Sequence, residues 1–152
     1  MPRQLKLYLD TSIPNAYFDE KNANRQEVTK TLWLKLKEYH VFISDLVIQE
    51  IEATGDEELR ENLINLVKNF DSLSNESEEI RVLSEKYVSE GIIPTNHIED
   101  AVHIAVVTVN SLDILVSWNF KHIVKLKTKR EINAVNALLN YDSIEIVEPA
   151  ML

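Results

Sequence analysis

Residues 5–12 read Leu-Lys-Leu-Tyr-Leu-Asp-Thr-Ser, an apolar run around one lysine that stops at three polar residues. A short apolar run with such an end is typical of a buried β-strand. Three further runs share this character: residues 41–43 end at Ser44, residues 114–116 end at Ser117, and residues 144–147 end before Pro149. The sequence therefore predicts at least four short strands.

The segments between these runs carry apolar residues at intervals of three or four, which predicts helices. The spacing covers residues 28–39, 59–70, 80–87, 98–109 and 132–139, and a further helix is expected to begin near Leu46. Strands that alternate with helices predict a mainly parallel sheet with helices on both faces. The expected fold class is α/β, and the length predicts a single domain over residues 1–152.

Composition excludes several classes of protein. The chain has no cysteine, so disulfides and thiolate metal sites are excluded. It has only two glycines and no glycine-rich phosphate loop, which argues against dinucleotide and P-loop sites. No apolar run approaches the length of a signal peptide core or a membrane-spanning helix. We expect a cytoplasmic protein with no membrane contact.

The net charge of −9 argues against general coating of nucleic acid, which needs clustered lysine and arginine. Residues 121–130 differ from the rest, because they carry five basic residues and no acid. This basic segment, which includes Lys121 and Lys125, is either a solvated turn, a local patch that faces phosphate, or a surface for an acidic partner.

Polar residues follow three of the predicted strands, where sites form in open α/β sheets. Asp10, Thr11 and Ser12 follow the first strand, Ser44 and Asp45 follow the second, and Ser117 with Asn119 follows the third. The polar residues at these three strand ends are the first indication of a functional site.

Three acids and one histidine have two interpretations each. Asp10 is either a helix cap or a metal ligand, and Glu50 is either a solvated glutamate or a ligand within reach of the second strand's end. Asp100 is either a first-turn acid stabilised by the helix dipole or a ligand. His103 shares the face of Asp100, and a hydrogen-bonded core histidine is favoured over a metal ligand.

Asp10, Glu50 and Asp100 come from three separate strand or helix ends, so together they could converge on one cation. Carboxylate oxygens suit Mg²⁺ and Mn²⁺, and such ions promote hydrolysis of phosphate esters. The chain lacks zinc-hydrolase spacings and the motifs of serine and cysteine nucleophiles.

Four segments in order resemble the motifs of PIN domains. Residues 7–12 resemble the opening strand and Asp-Thr-Ser turn, and residues 44–51 resemble the Ser-terminated strand with its glutamate-bearing helix. Residues 100–105 match the helix opened by aspartate, and residues 117–123 resemble the fourth motif. The tail, residues 136–149, looks like the closing helix and strand of the VapC-like toxin branch of type II toxin–antitoxin systems.

This resemblance implies a five-stranded parallel sheet and a Mg²⁺- or Mn²⁺-dependent endoribonuclease that cleaves single-stranded or structured RNA. It implies metal ligands at Asp10, Glu50 and Asp100, and it implies a cognate antitoxin and a homodimer. The catalytic set would also contain Asn119. The remaining residues expected to contact substrate are Ser12, Ser44, Ser117, Lys121, His122 and Lys125.

The fourth motif departs from the family pattern. Asn119 stands where many members have an acid, and His122 stands where a second acid often follows. The lost negative charge puts a second metal in question. The rival hypothesis is therefore a PIN scaffold that binds RNA or a protein without cutting. A haloacid-dehalogenase-type phosphatase is disfavoured, because it needs a second Asp where Ser12 stands.

Overall fold

A computed structural model describes residues 3–152 of the chain. Within them the fold consists of a five-stranded sheet and seven α-helices. The strands are β1 (Lys6–Leu9), β2 (His40–Ser44), β3 (Asp71–Leu73), β4 (Ile114–Val116) and β5 (Glu145–Val147). The helices are α1 (Ser12–Tyr17), α2 (Ala23–Lys35), α3 (Asp45–Glu52), α4 (Glu57–Val67), α5 (Glu78–Ser89), α6 (Ile98–Val109) and α7 (Leu126–Leu138).

The sheet is entirely parallel, in the order β3-β2-β1-β4-β5. Strand β1 is central, and Leu7 stands opposite Val41 of β2 and Ile114 of β4. Parallel pairing brings the carboxyl ends of β1, β2 and β4 to one edge of the sheet. The prediction of an α/β fold with a parallel five-stranded sheet is confirmed.

The apolar runs became strands because their side chains fill the core. Leu7, Tyr8 and Leu9 are fully buried, as are Leu115 and Val116 of β4. A strand covered on both faces needs apolar residues at successive positions, which is the pattern of the opening run. Within residues 3–152, no helix combines the length and the apolar character needed to cross a bilayer.

Helix α6 is the most apolar of the helices, and it carries two residues of the site. Seven of its side chains are buried. Polar contacts also anchor it: the Tyr87 hydroxyl of α5 lies 3.2 Å from Thr108 Oγ1, and Asn136 Nδ2 of α7 donates to the same Thr108 oxygen at 3.2 Å. This buried network ties three helices together near the C-terminal end of α6.

Two elements differ from the expectation. Strand β3 carries no apolar pattern, because its three residues lie at the sheet edge and are mostly exposed. The helix that the spacing of residues 28–39 predicts is also too long. Helix α2 ends at Lys35, and the tighter 3₁₀ turn Leu36–Glu38 leads into β2 with Tyr39 in extended conformation.

Candidate active site

The carboxyl edge of the sheet brings the polar strand ends together around Asp10. This residue directly follows β1, and its backbone N–H donates to the carbonyl of Val116 at 3.3 Å. Asp10 is only 3% exposed. Its position continues the central strand, so its carboxylate is placed by the sheet itself and not by a flexible loop.

Two serine hydroxyls hold the Asp10 carboxylate. Ser12 Oγ donates to Oδ1 and Ser117 Oγ donates to Oδ2, both at 2.5 Å. Burial raises the pKa of Asp10 and the nearby Asp100 charge adds to this, while His103 and the two hydroxyls act in the opposite direction. A buried carboxylate oriented by two neutral donors favours a bound cation, because the donors supply no compensating charge.

Glu50 extends from α3 and is held from two sides. Thr11 Oγ1 donates to Glu50 Oε1 at 2.6 Å, and His103 Nε2 lies 2.8 Å from the same oxygen. Burial raises the pKa of Glu50, but the hydrogen bond and charge of His103, together with the Thr11 hydroxyl, lower it by more, so the net shift is downward. Glu50 therefore stays ionised near neutral pH.

His103 belongs to a buried chain of hydrogen bonds. Its Nδ1 lies 2.7 Å from the Tyr8 hydroxyl, which also lies 2.8 Å from Ser44 Oγ. Burial holds the pKa of Tyr8 well above its ordinary value, so the phenol remains protonated. Because both ring nitrogens of His103 are engaged, the interpretation as a hydrogen-bonded core histidine is confirmed.

Asp100 in the first turn of α6 contacts Asn119 in the loop after β4. Asn119 Nδ2 donates to Asp100 Oδ2 at 3.2 Å, and Asn119 Oδ1 accepts from the His122 backbone N–H at 2.9 Å. Burial raises the pKa of Asp100, opposed by His103, His122, Asn119 and His97. The side-chain amide of Asn119 thus points its nitrogen at the acid and its oxygen at the backbone.

These residues line one cavity of about 330 Å³ at the carboxyl edge. Its walls combine predicted and unpredicted residues: Asp10, Thr11, Ser12, Asn15, Glu50, Asp100, His103 and Asn119. Sequence reasoning placed Thr11 at the end of the first strand without giving it a role, and it missed Asn15. The available signal was their spacing of four, which places Thr11, directly before α1, and Asn15, within α1, on the same side.

The carboxylates of Asp10, Glu50 and Asp100 share this cavity but are not clustered as tightly as ligands of one ion. Within residues 3–152, the only three His, Asp or Glu ligand atoms that all lie within 4.8 Å of one another belong to His97, Asp100 and His122. At least one pair among the three acids is therefore wider. Glu50 is turned toward Thr11 and His103, which accounts for part of the spread.

Other residues expected to contact substrate have different positions. Ser44 and Ser117 are fully buried, so they hold Tyr8 and Asp10 in place instead of touching a substrate. Lys121 and Lys125 are exposed on the loop between β4 and α7, outside the cavity walls.

His122 is also outside the cavity walls, and its ring lies against His97 with centroids 4.2 Å apart. Burial lowers the pKa of His122. His97, Lys121 and Lys125 act in the same direction, whereas Asp100 raises it. Sequence reasoning missed His97, which precedes α6 by one residue.

Solved structures resemble this chain along almost its whole length. A chain of the VapBC2 complex from Rickettsia felis, solved with a DNA fragment from its promoter, gives a TM-score of 0.59 at 13% identity, covering 95% of this chain and 98% of that one. A chain of DNA-bound VapBC from Salmonella typhimurium gives a TM-score of 0.61 at 13% identity, covering 96% and 99%. The fold is PIN-like.

The structural neighbours confirm the PIN-like fold that the four sequence motifs predict. No protein-family model matches the sequence, and no curated protein matches it. The TM-scores of 0.59 and 0.61 over nearly the whole chain establish the shared fold, whereas 13% identity does not establish a shared activity. In this PIN-like fold, the cavity lies at the carboxyl edge of the central strand, where ligands bind in open parallel sheets.

Proposed function

We propose that this protein is a metal-dependent endoribonuclease that acts as the toxin of a toxin–antitoxin pair. The observation that carries the proposal is the cavity at the carboxyl edge, into which three separate elements bring Asp10, Glu50 and Asp100. These three acids follow β1 or lie in α3 and α6, and they have no joint structural task there. Each accepts a hydrogen bond from at least one neutral donor that fixes its orientation.

The donor set fits a hard divalent cation. Carboxylate oxygens surround the cavity, and no ring nitrogen of His103 is free to bind a softer ion. The raised pKa of both Asp10 and Asp100 reflects negative charge held in a buried place, which Mg²⁺ or Mn²⁺ would relieve. Asp10, Glu50 and Asp100 would hold the cation, directly or through water.

The residues of the chain then have distinct tasks. Ser12 and Ser117 orient Asp10 at the base of the cavity, and His103 with Thr11 keeps Glu50 ionised. A divalent cation, when bound, supplies Lewis-acid polarisation of the scissile phosphate and makes hydroxide available near neutral pH. Attack by water in line would leave a 5′-phosphate and a 3′-hydroxyl.

RNA would approach over the loop between β4 and α7. Lys121 and Lys125 are exposed there, at the same edge of the sheet as the cavity. The rest of the surface is acidic overall, so the basic segment is the natural place for phosphate contacts.

The proposed partners are a cognate antitoxin and a second copy of the chain, in the cytoplasm. The structural neighbours are VapBC complexes bound to DNA, which supports an antitoxin partner. The apolar Leu138 on α7 is 81% exposed, and Leu139 beside it is 43% exposed. These two adjacent leucines are the proposed contact with another chain. Size measurement in solution, with and without the product of a neighbouring reading frame, tests both partners.

The enzymatic proposal is tested by RNA cleavage. Protein free of antitoxin should cut a panel of single-stranded and hairpin RNAs in Mg²⁺ or Mn²⁺ and stop when the ion is chelated. Analysis of the new ends should find 5′-phosphate. Binding without any cleavage would favour the scaffold alternative, which is supported by Asn119 in place of an acid and by the wide spacing of the three carboxylates.

A further inference from the structure

His97, Asp100 and His122 form a second cluster beside the cavity. His97 precedes α6, Asp100 lies in its first turn, and His122 lies in the loop after β4. One ring nitrogen from each histidine and one carboxylate oxygen all lie within 4.8 Å of one another. The fold thus brings His122 to two residues at the start of α6, with ligand atoms close enough to share a metal ion.

The backbone fixes both histidines. The His122 N–H donates to Asn119 Oδ1 at 2.9 Å, and the His97 N–H donates to the Pro94 carbonyl at 2.9 Å. Neither imidazole hydrogen-bonds to Asp100 in the described part of the chain, although Asp100 accepts from Asn119. The three groups therefore approach one another without a direct hydrogen bond between either imidazole and the carboxylate.

The side chain of His122 has a buried nitrogen without a hydrogen-bond partner among the residues that the structure describes. Its Nε2 is shielded from solvent and has no hydrogen-bond partner among residues 3–152. A buried polar nitrogen without a partner is unfavourable, because it has lost water and gained nothing in exchange. A bound cation is one ligand that would satisfy such a nitrogen, since neutral imidazole binds metals through its lone pair.

The chemistry of the three donors selects the kind of ion. Two imidazoles and one carboxylate suit Zn²⁺ and neighbouring first-row transition metals, whereas Mg²⁺ prefers oxygen ligands and water. Three protein ligands also leave coordination positions open for water or substrate. We infer that His97, Asp100 and His122 form a binding site for a transition-metal cation of the zinc class.

The position of Asp100 links this site to the cavity. Asp100 lines the cavity and also belongs to the cluster, so one carboxylate would serve two neighbouring ions. The cation held by the two histidines would occupy a second metal position beside the proposed nuclease centre. That role rests on the proposed function, whereas binding of the ion does not.

Binding is tested with metal-free full-length protein and Co²⁺, whose visible absorption reports its ligands. One equivalent of Co²⁺ should give absorption bands that Zn²⁺ abolishes and equimolar Mg²⁺ does not. His97→Ala and His122→Ala should each weaken Co²⁺ binding at least tenfold. The chain has four histidines, and His40 lies on the surface paired with Asp71, so His40→Ala is the matched control and should bind normally.

Imidazole ¹⁵N resonances of the wild type give a readout that needs no variant. Zn²⁺ should shift the nitrogens of His97 and His122 and leave those of His40 in place. Absence of Co²⁺ bands, or bands unchanged in both His97→Ala and His122→Ala, would overturn the site. If the wild type binds Co²⁺ but does not cleave RNA, the nuclease proposal fails and this metal site stands. If the wild type cleaves RNA but does not bind Co²⁺, this metal site fails and the nuclease proposal stands.

Discussion

His103 Nε2 lies 2.8 Å from Glu50 Oε1, and the other nitrogen of the same ring lies 2.7 Å from the Tyr8 hydroxyl. One imidazole therefore joins helix α6 to helix α3 and to the central strand. His103 is 3% exposed, so water cannot replace these bonds freely. The orientation of a candidate metal ligand, Glu50, depends on a histidine whose nitrogens are both occupied.

His103→Ala should lower the free energy of unfolding by about 2–3 kcal/mol, because two buried hydrogen-bonding partners lose their bond. Tyr8→Phe removes only the hydroxyl and should cost about 1–2 kcal/mol. Urea unfolding measures both. His40→Ala serves as the control, since its exposed pair with Asp71 should contribute under about 1 kcal/mol. Equal losses for His103→Ala and His40→Ala would contradict the network.

The sequence predicted the sheet and the edge with the cavity because buried strands need apolar residues and the site needs polar ones. The run before Asp10 predicted the central strand because full burial demands apolar side chains, and the polar residues after three strands predicted the edge that bears the cavity. His97 left no such signal. Its proximity to His122 depends on how the loop after β4 folds over the start of α6, which no local pattern encodes.

Strand β3 could not be predicted from the sequence for a related reason. An exposed edge strand is held by backbone bonds to β2, and its side chains are free to be polar. For Ser44 and Ser117, the position after a strand correctly predicted that they lie near the site. The sequence does not indicate that both are fully buried, because burial depends on how the surrounding elements pack.

Asp100→Asn should leave the protein folded and, without metal, equally or more stable at neutral pH. Burial raises the pKa of Asp100 above its ordinary value of 3.8, so the folded protein favours the protonated form of this carboxyl group. The stability that protonation contributes is fully present below pH 3.8 and is lost as pH rises through the raised pKa. The stability of the wild type relative to Asp100→Asn should therefore increase as pH falls from 7 toward 4. Thermal unfolding in chelator measures this.

A second arm adds Mn²⁺, which should raise the melting temperature of the wild type and leave that of Asp100→Asn unchanged. Strong destabilisation of the metal-free protein by Asp100→Asn would instead support the helix-dipole interpretation of this acid.

Glu50→Gln should show the opposite pH dependence. The pKa of Glu50 is lowered from 4.5, so the stability that its ionised form contributes is present above that value and is lost as pH falls through the lowered pKa. The wild type should be more stable than Glu50→Gln at pH 7, and the gap should close in acid. Parallel pH profiles for Glu50→Gln and Asp100→Asn would count against the distinct environments of the two acids.

Neutralising Lys121 and Lys125 should weaken RNA binding and flatten its dependence on salt. Removal of one lysine–phosphate ion pair should lower the slope of log affinity against log salt by about one. Binding titrations at several salt concentrations give this slope. Lys37→Gln is the matched control, because Lys37 is exposed just before β2, at the opposite edge of the sheet. An equal effect from Lys37→Gln would mean that the basic segment has no special role.

Asp10→Ala and Asn119→Asp separate an enzyme from a scaffold. Asp10→Ala should abolish metal-dependent cleavage, because it removes the carboxylate that Ser12 and Ser117 orient at the centre of the cavity. Asn119→Asp should preserve or increase cleavage, since a further carboxylate strengthens binding of divalent cations. It should also destabilise the metal-free protein, because the amide donor to Asp100 becomes a second negative charge. Cleavage rates and melting temperatures, each with and without Mn²⁺, measure these effects. RNA binding without cleavage in both the wild type and Asn119→Asp would establish the scaffold alternative, and cleavage that survived Asp10→Ala would identify a contaminating nuclease.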